Sequence, residues 1–236
     1  MKMQGNEINL KEALFAFKDL MDAHNIEFIL LYGALLGAYR NKRLLPWDVD
    51  LDVAILFKSY NDFANTDLFS LLRDAYKRGF RNVRWGHDFN VDNSYIKYPE
   101  IAALPEKEQW KEFLRINQEW KYGKIGLYWR SLNPTIELLE STNGWINIDC
   151  MVYVKGIYEA YKSYDGRQLG KIELYGTIFN TPPDVLYDLS NYYGKNWKDV
   201  FCSYELWIKH QDALREGCIP QEVKDFMDKW SSLLAE

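Results

Sequence analysis

Phe28-Ile-Leu-Leu-Tyr-Gly-Ala-Leu-Leu-Gly-Ala-Tyr-Arg-Asn-Lys-Arg-Leu-Leu-Pro-Trp-Asp-Val-Asp-Leu-Asp-Val-Ala-Ile55 is the stretch that decides how the 236-residue chain folds. An apolar run rich in Ile and Leu stops at Tyr32-Gly33, helix formers follow from Ala34 to Tyr39, and a second apolar run starts inside Asp48-x-Asp50-x-Asp52. That order predicts a strand, a glycine turn, a short helix and a second strand with carboxylates at its mouth.

Asp is uncommon in strands, yet three recur at a period of two just ahead of Val53-Ala-Ile-Leu56. A strand that includes them turns all three side chains to one face. Carboxylates so close raise one another's pKa unless a cation lies between them, and hard oxygen ligands suit Mg²⁺ or Mn²⁺. The plainer alternatives are a solvated strand start and a helix N-terminus at which Asp favours the dipole. The preceding turn favours chemistry: Gly33 opens a helix whose first amides and dipole attract an anion, Gly37 one turn later permits close backbone approach, and Arg40 offers a planar fork for phosphate oxygens. Taken singly, each glycine could be a packing contact and Arg40 a surface ion pair.

Elsewhere the chain supplies a frame for this unit. Asn9 with Glu12 resembles a capping box, and Leu10, Ala13, Leu14, Phe17, Leu20 and Met21 keep helical spacing up to Asn25. Asn65 or Thr66 is placed to cap a helix carrying Leu68, Leu71, Leu72 and Ala75 and closed by Gly79, with a short strand near Phe80 to Trp85. A polar loop, Gly86 to Ser94, holds His87 and Asp88, which read as surface groups, with substrate contact as the alternative. Pro105 to Tyr122 reads as a charged helix, and Tyr95, Tyr98, Tyr122, Tyr128 and Trp129 cluster around it as core fillers or as a cage for a cation or sugar ring. Trp145 to Val154 alternates as a strand, with Ile146, Ile148 and Cys150 opposite Asn147 and Asp149. Asp165-Gly166 and Tyr175-Gly176 punctuate a hairpin that ends at Pro182-Pro183, and three helices close the chain. The fold class is therefore α/β (α+β): a mixed sheet flanked by helices, one unit over 1–236 with an aromatic-rich insertion at about 86–144 and a helical part at about 184–236.

Composition removes several functions. The net charge of -5, with basic residues scattered, leaves no stripe for a nucleic-acid backbone. Cys150, Cys202 and Cys218 are three cysteines without paired spacing, which argues against a disulfide framework or a zinc site. Met1-Lys-Met-Gln-Gly-Asn-Glu lacks a signal-peptide core and no apolar run reaches membrane-span length, so the expectation is a cytoplasmic protein, or one peripheral to the inner face of the membrane.

Tyr32-Gly-Ala-Leu-Leu-Gly-Ala-Tyr-Arg40 followed by Leu45-Pro-Trp-Asp-Val-Asp-Leu-Asp52 closely resembles the signature of the LicD family of phosphotransferases, which includes fukutin-type proteins. Trp145-Ile-Asn-Ile-Asp-Cys-Met-Val152 resembles its strand with a third carboxylate. Phe179-Asn-Thr-Pro-Pro-Asp and Tyr193-Gly-Lys-Asn-Trp197 resemble its later elements, so the likeness spans about Leu14 to Trp197. It implies a nucleotidyltransferase-like fold and Mg²⁺- or Mn²⁺-dependent transfer of phosphocholine or a polyol phosphate from CDP-choline, CDP-ribitol or CDP-glycerol to a hydroxyl of a glycan or glycolipid. Carried over, Asp50 and Asp52 resemble metal ligands and Asp149 a third ligand or a base. Asp48 and Trp47 would support them, and Gly33, Ala34, Gly37 and Arg40 would hold the donor phosphates. Ala34 departs from the family's usual Thr or Ser, leaving backbone amides alone for phosphate contact there. Two rival readings stand beside this one: a nucleotidyltransferase that attaches the nucleotide itself, and a non-catalytic nucleotide- or glycan-binding protein.

Overall fold

The computed structural model describes residues 6–117, 123–130, 138, 142–155 and 167–234. The first turn of helix α1 (Glu7–Ala23) begins at Asn6, earlier than the Asn9 and Glu12 pattern suggests, because Asn9 is itself buried inside the helix. Leu10, Leu14, Phe17 and Met21 fall on one face at helical spacing and are fully buried. β1 (Phe28–Leu30) follows, then α2 (Tyr32–Leu36), a wide π-turn over Gly37–Asn41, and β2 (Asp50–Phe57). The expected strand, turn, helix and strand are therefore present, except that Asp48 lies in the loop ahead of β2 instead of on it.

The middle of the chain contributes α3 (Tyr60–Asn65), α4 (Leu68–Lys77), β3 (Arg81–Trp85), β4 (Phe89–Asn90), β5 (Tyr95–Ile96), α5 (Pro99–Ala102), α6 (Glu106–Ile116) and β6 (Gly123–Arg130). Asp67, not Asn65 or Thr66, caps α4, its carboxylate accepting from the Ser70 amide at 3.0 Å. The end of the expected helix at Trp120 to Tyr122, and the Asp165-Gly166 turn, lie outside the described residues. β7 (Trp145–Val154) is the longest strand, and β8 (Gly170–Leu174) and β9 (Thr177–Thr181) form the hairpin turned by Tyr175 and Gly176, both at positive φ. α7 (Val185–Tyr193), α8 (Tyr204–Glu216) and α9 (Gln221–Leu234) close the chain.

The nine strands of the described residues form one mixed sheet in the order β5-β4-β3-β6-β7-β2-β1-β9-β8, in which β2 runs parallel to β7 and β1 parallel to β9. One face carries Leu51, Val53, Ile55, Ile148 and Cys150 into the main core with α1, α4 and α6. Trp110, Tyr98 and Trp129 of the middle segment join that core, whereas Tyr95 is exposed: Trp110 meets Phe63, Phe69 and Trp85 edge to face at 5.3 to 5.7 Å, and Trp129 lies 4.9 Å from Phe80. Tyr98 and Trp129 thus act as core fillers. Trp120 and Tyr122 fall outside the described residues.

The loop that carries Trp47 and Asp48 is held from behind. Glu7, at the start of α1, is fully buried and ion-paired to the equally buried Arg43, while the Tyr175 hydroxyl donates to Glu7 at 2.6 Å and accepts from the Leu44 amide at 2.9 Å. Asn6 adds a bond from its amide nitrogen Nδ2 to the Asp48 carbonyl at 3.1 Å. Losing one partner would leave a charge stranded without water. Arg43→Met is therefore expected to cost about 3 to 5 kcal/mol in urea unfolding, and Glu7→Met/Arg43→Met to recover much of it. A single variant as stable as the wild type would contradict this.

Candidate active site

β2 and β7 are in parallel register with Asp52 opposite Asp149 and Asp50 opposite Asn147. Because Leu51, Val53 and Ile55 go to the core, the pleat turns Asp50 and Asp52 to the other face, where Asp149 joins them. Directly opposed residues on neighbouring strands have Cβ atoms about 5 Å apart, so side chains distant in sequence share one patch of sheet. That patch floors a cavity of about 520 Å³ whose lining includes Gly33, Arg40, Trp47, Asp48, Asp50, Asp52 and Asp149.

The three carboxylates repel. Burial raises the pKa of Asp52 to about 7, with Asp50 and Asp149 adding to the rise and Lys124 opposing it. Asp50 is exposed, yet its pKa is also raised, first by desolvation and next by Asp149. Lys124 on β6 places its Nζ 2.5 Å from Asp149 Oδ2. Sequence reading missed this lysine: its partner is 25 residues away and the approach to β6 reads as helix.

Asp48 takes a different place. Its Oδ2 lies 2.5 Å from where a Cβ on Gly33 would stand, so Gly33 makes room for a carboxylate as well as opening α2. Burial, and after it Asp50 and Asp52, hold the Asp48 carboxyl well above the usual carboxylate range, against a partial offset from Arg40. Arg40 does not pair with an acid as a surface ion pair would. It donates from Nη1 to the carbonyls of Trp197 and Val200 at 3.1 and 3.0 Å and from Nε to Asn41 at 2.9 Å, while Nη2 is buried with no partner among the described residues. Ala34 and Gly37, expected at the phosphates, do not line the cavity. Ala34 is buried, and a Cβ on Gly37 would meet the Arg43 carbonyl at 2.6 Å, so this glycine serves close packing of the π-turn on the following loop.

The opposite wall comes from the C-terminal helices and the segment that joins α7 to α8. Tyr192, Tyr193, Asn196, Phe201 and Trp207 line the cavity together with Tyr32, and Tyr32 and Tyr192 meet edge to face at 4.5 Å. Trp47 joins the two halves, stacking on Phe201 at 5.2 Å and meeting Phe226 and Trp230 at 5.5 Å each. The signal available in sequence was Tyr193-Gly-Lys-Asn-Trp197, since the Trp197 carbonyl holds Arg40 and its indole donates to Ser190 Oγ at 3.1 Å.

Asp50, Asp52 and Asp149 are hard oxygen donors whose mutual repulsion a divalent cation would relieve. Asp149 is meanwhile engaged by Lys124, and among the described residues no group of three or more His, Cys, Asp or Glu side chains converges as a ready-made metal site. The residues therefore suit a hard cation held first by Asp50 and Asp52. No helix among the described residues is long and apolar enough to cross a membrane, and all three cysteines are free.

Residues 25–137 match the family described as LicD/FKTN/FKRP, nucleotidyltransferase domain. The match takes in the Gly33 turn, Arg40 and the acidic triplet and stops short of Asp149. No curated protein matches the chain.

The raised pKa of Asp52 has a signed consequence. Ionising it costs the folded state more than the unfolded chain, so the penalty is fully present above about pH 7 and fades as pH falls toward the ordinary carboxylate range. In chelator, Asp52→Asn is expected to be more stable than the wild type by roughly 1 to 3 kcal/mol at about pH 8, with the gain lost by about pH 4. Parallel unfolding curves at both pH values would contradict this.

Proposed function

From the match of residues 25–137 to the LicD/FKTN/FKRP nucleotidyltransferase domain we propose that the protein is a metal-dependent phosphotransferase. It moves a phosphate-linked group, phosphocholine or a polyol phosphate, from a CDP-activated donor to a hydroxyl of a glycan or glycolipid. The reading rests most heavily on one observation, the register of β2 and β7 that puts Asp149 beside Asp52.

In this reading Asp50 and Asp52 hold Mg²⁺ or Mn²⁺, which when bound supplies charge neutralisation at the donor diphosphate. The chain's own groups do the rest. Arg40 offers its unpartnered Nη2 to a phosphate oxygen, and the first amides of α2 face the same charge. Tyr32, Tyr192 and Trp207 give flat faces for the cytosine ring or for a quaternary ammonium. Lys124 grips Oδ2 of Asp149, leaving Oδ1 to accept the proton of the attacking hydroxyl. The new bond joins that oxygen to the phosphorus bearing the transferred group, the bond from phosphorus to the CMP oxygen breaks, and CMP departs with the electron pair. Free cysteines and an activated nucleotide donor fit a cytoplasmic site of action.

CDP-choline, CDP-ribitol, CDP-glycerol and CDP-ethanolamine, screened by thermal shift with and without Mg²⁺, should single out one donor, since stabilisation grows with the logarithm of ligand over Kd. With that donor, CMP release is expected. Asp50→Asn and Asp52→Asn, folded, should each lower turnover by on the order of a thousandfold, about 4 kcal/mol. Near wild-type turnover in either variant would sink the assignment, and pyrophosphate release from a nucleoside triphosphate would move it to nucleotidyl transfer.

A further inference from the structure

A second concavity of about 640 Å³ adjoins the first and is unused by the chemistry above. Arg84, His87, Asp88, Lys97, Lys124 and Gly126 are among its lining residues. The two hollows meet along the β6–β7 ladder: Gly126 pairs with Asp149 and Lys124 with Met151, and both Asp149 and Met151 line the first cavity.

The sheet register orders the charged groups in one row. Arg84 on β3 pairs with Gly126 on β6, Gly126 with Asp149 on β7, and Asp149 with Asp52 on β2. Directly paired residues turn their side chains to the same face. A Cβ on Gly126 would stand 2.9 Å from Arg84 Nε and 3.3 Å from its Cγ, so the arginine lies flat over the glycine and leans along the row toward Asp149. At about 4.8 Å per strand, its Cα is roughly 10 Å from that of Asp149, a gap that an extended arginine largely spans.

The charges of the groove do not cancel. Its own carboxylate, Asp88, is taken by Lys97 at 2.9 Å, and Lys124 is turned to Asp149. Arg84 is half-buried, and among the described residues its guanidinium has no ion-pair or hydrogen-bond partner. A guanidinium in such a place suits an anion that binds through two oxygens.

We propose that this groove is the acceptor subsite and that the acceptor is a glycan bearing an anionic group, phosphate or carboxylate, which Arg84 binds while a nearby hydroxyl faces Asp149. The proposal rests on the phosphotransferase reading for the word acceptor, while the anion site stands on Arg84 itself. In-line displacement needs the attacking and departing oxygens on opposite sides of phosphorus. With the aromatic cavity on one side of the Asp52 and Asp149 row and the cationic groove on the other, nucleotide and acceptor each have a side.

The test uses the full chain with Mg²⁺ and CDP present, titrated by calorimetry with glucose 6-phosphate, glucuronic acid and glucose. The two charged sugars distinguish phosphate from carboxylate, and at least one should bind about tenfold or more tightly than glucose. Arg84→Gln should erase that difference. Gly126→Ala, which keeps every charge but crowds the arginine, should reduce it. CDP binding, followed in parallel, should survive Arg84→Gln and be lost in Asp50→Asn/Asp52→Asn. Equal binding of glucose and both acids by the wild type, or a preference that persists in folded Arg84→Gln, would overturn the proposal. Arg84-dependent sugar-acid binding without CDP binding would support the anion site and reject the nucleotide reading instead.

Discussion

Like charge held together across a parallel strand pair is the constraint on which the site depends. β2 and β7 bury Leu51, Val53, Ile148 and Cys150 on one side, and the same register fixes Asp52 beside Asp149 on the other. The apolar face sets the register, because a slip of one residue would expose that whole set. The acidic face accepts the consequence, an Asp52 whose pKa rises to about 7 and an Asp149 that takes a lysine as neighbour. Repulsion of this kind opposes folding and favours a cation, which is how structural cost and chemical use coincide at active sites.

The surrounding architecture keeps those carboxylates in place. The Glu7, Arg43 and Tyr175 network anchors the loop that delivers Asp48 to Gly33, and Trp47 in the same loop locks onto Phe201, Phe226 and Trp230. Arg40 is oriented by two carbonyls from the segment after α7. The C-terminal part therefore does more than brace the sheet: its helices and the segment after α7 form the aromatic wall of the cavity, and that segment orients its arginine.

What could be read in advance followed from periodicity. Asp50 and Asp52 sit two apart before an apolar run, and Asp149 interrupts an alternating strand, so each declares its face in the sequence. Asp48 shares the same spacing but precedes the strand, because the Leu45-Pro46 turn delays entry into the sheet. Gly37 looked like a place for a ligand and is a packing contact, since its neighbour, the Arg43 carbonyl, is a backbone group that no residue pattern reveals. Lys124, Arg84 and the cavity face of Tyr192 and Trp207 depend on which strands and helices become neighbours. Helical periodicity tells which face of a helix is buried, not what it is buried against. The middle aromatics show the same limit, since their abundance could be counted but their placement beneath the sheet could not.

Mn²⁺ binding followed by electron paramagnetic resonance, with CDP present, probes the joint carboxylate site most directly. Folded Asp50→Asn and Asp52→Asn should each weaken Mn²⁺ binding by about tenfold or more relative to the wild type, and Asp149→Asn, which removes the base and not a ligand, should weaken it less. Unchanged Mn²⁺ affinity in Asp50→Asn and Asp52→Asn would show that these carboxylates do not build the ion site.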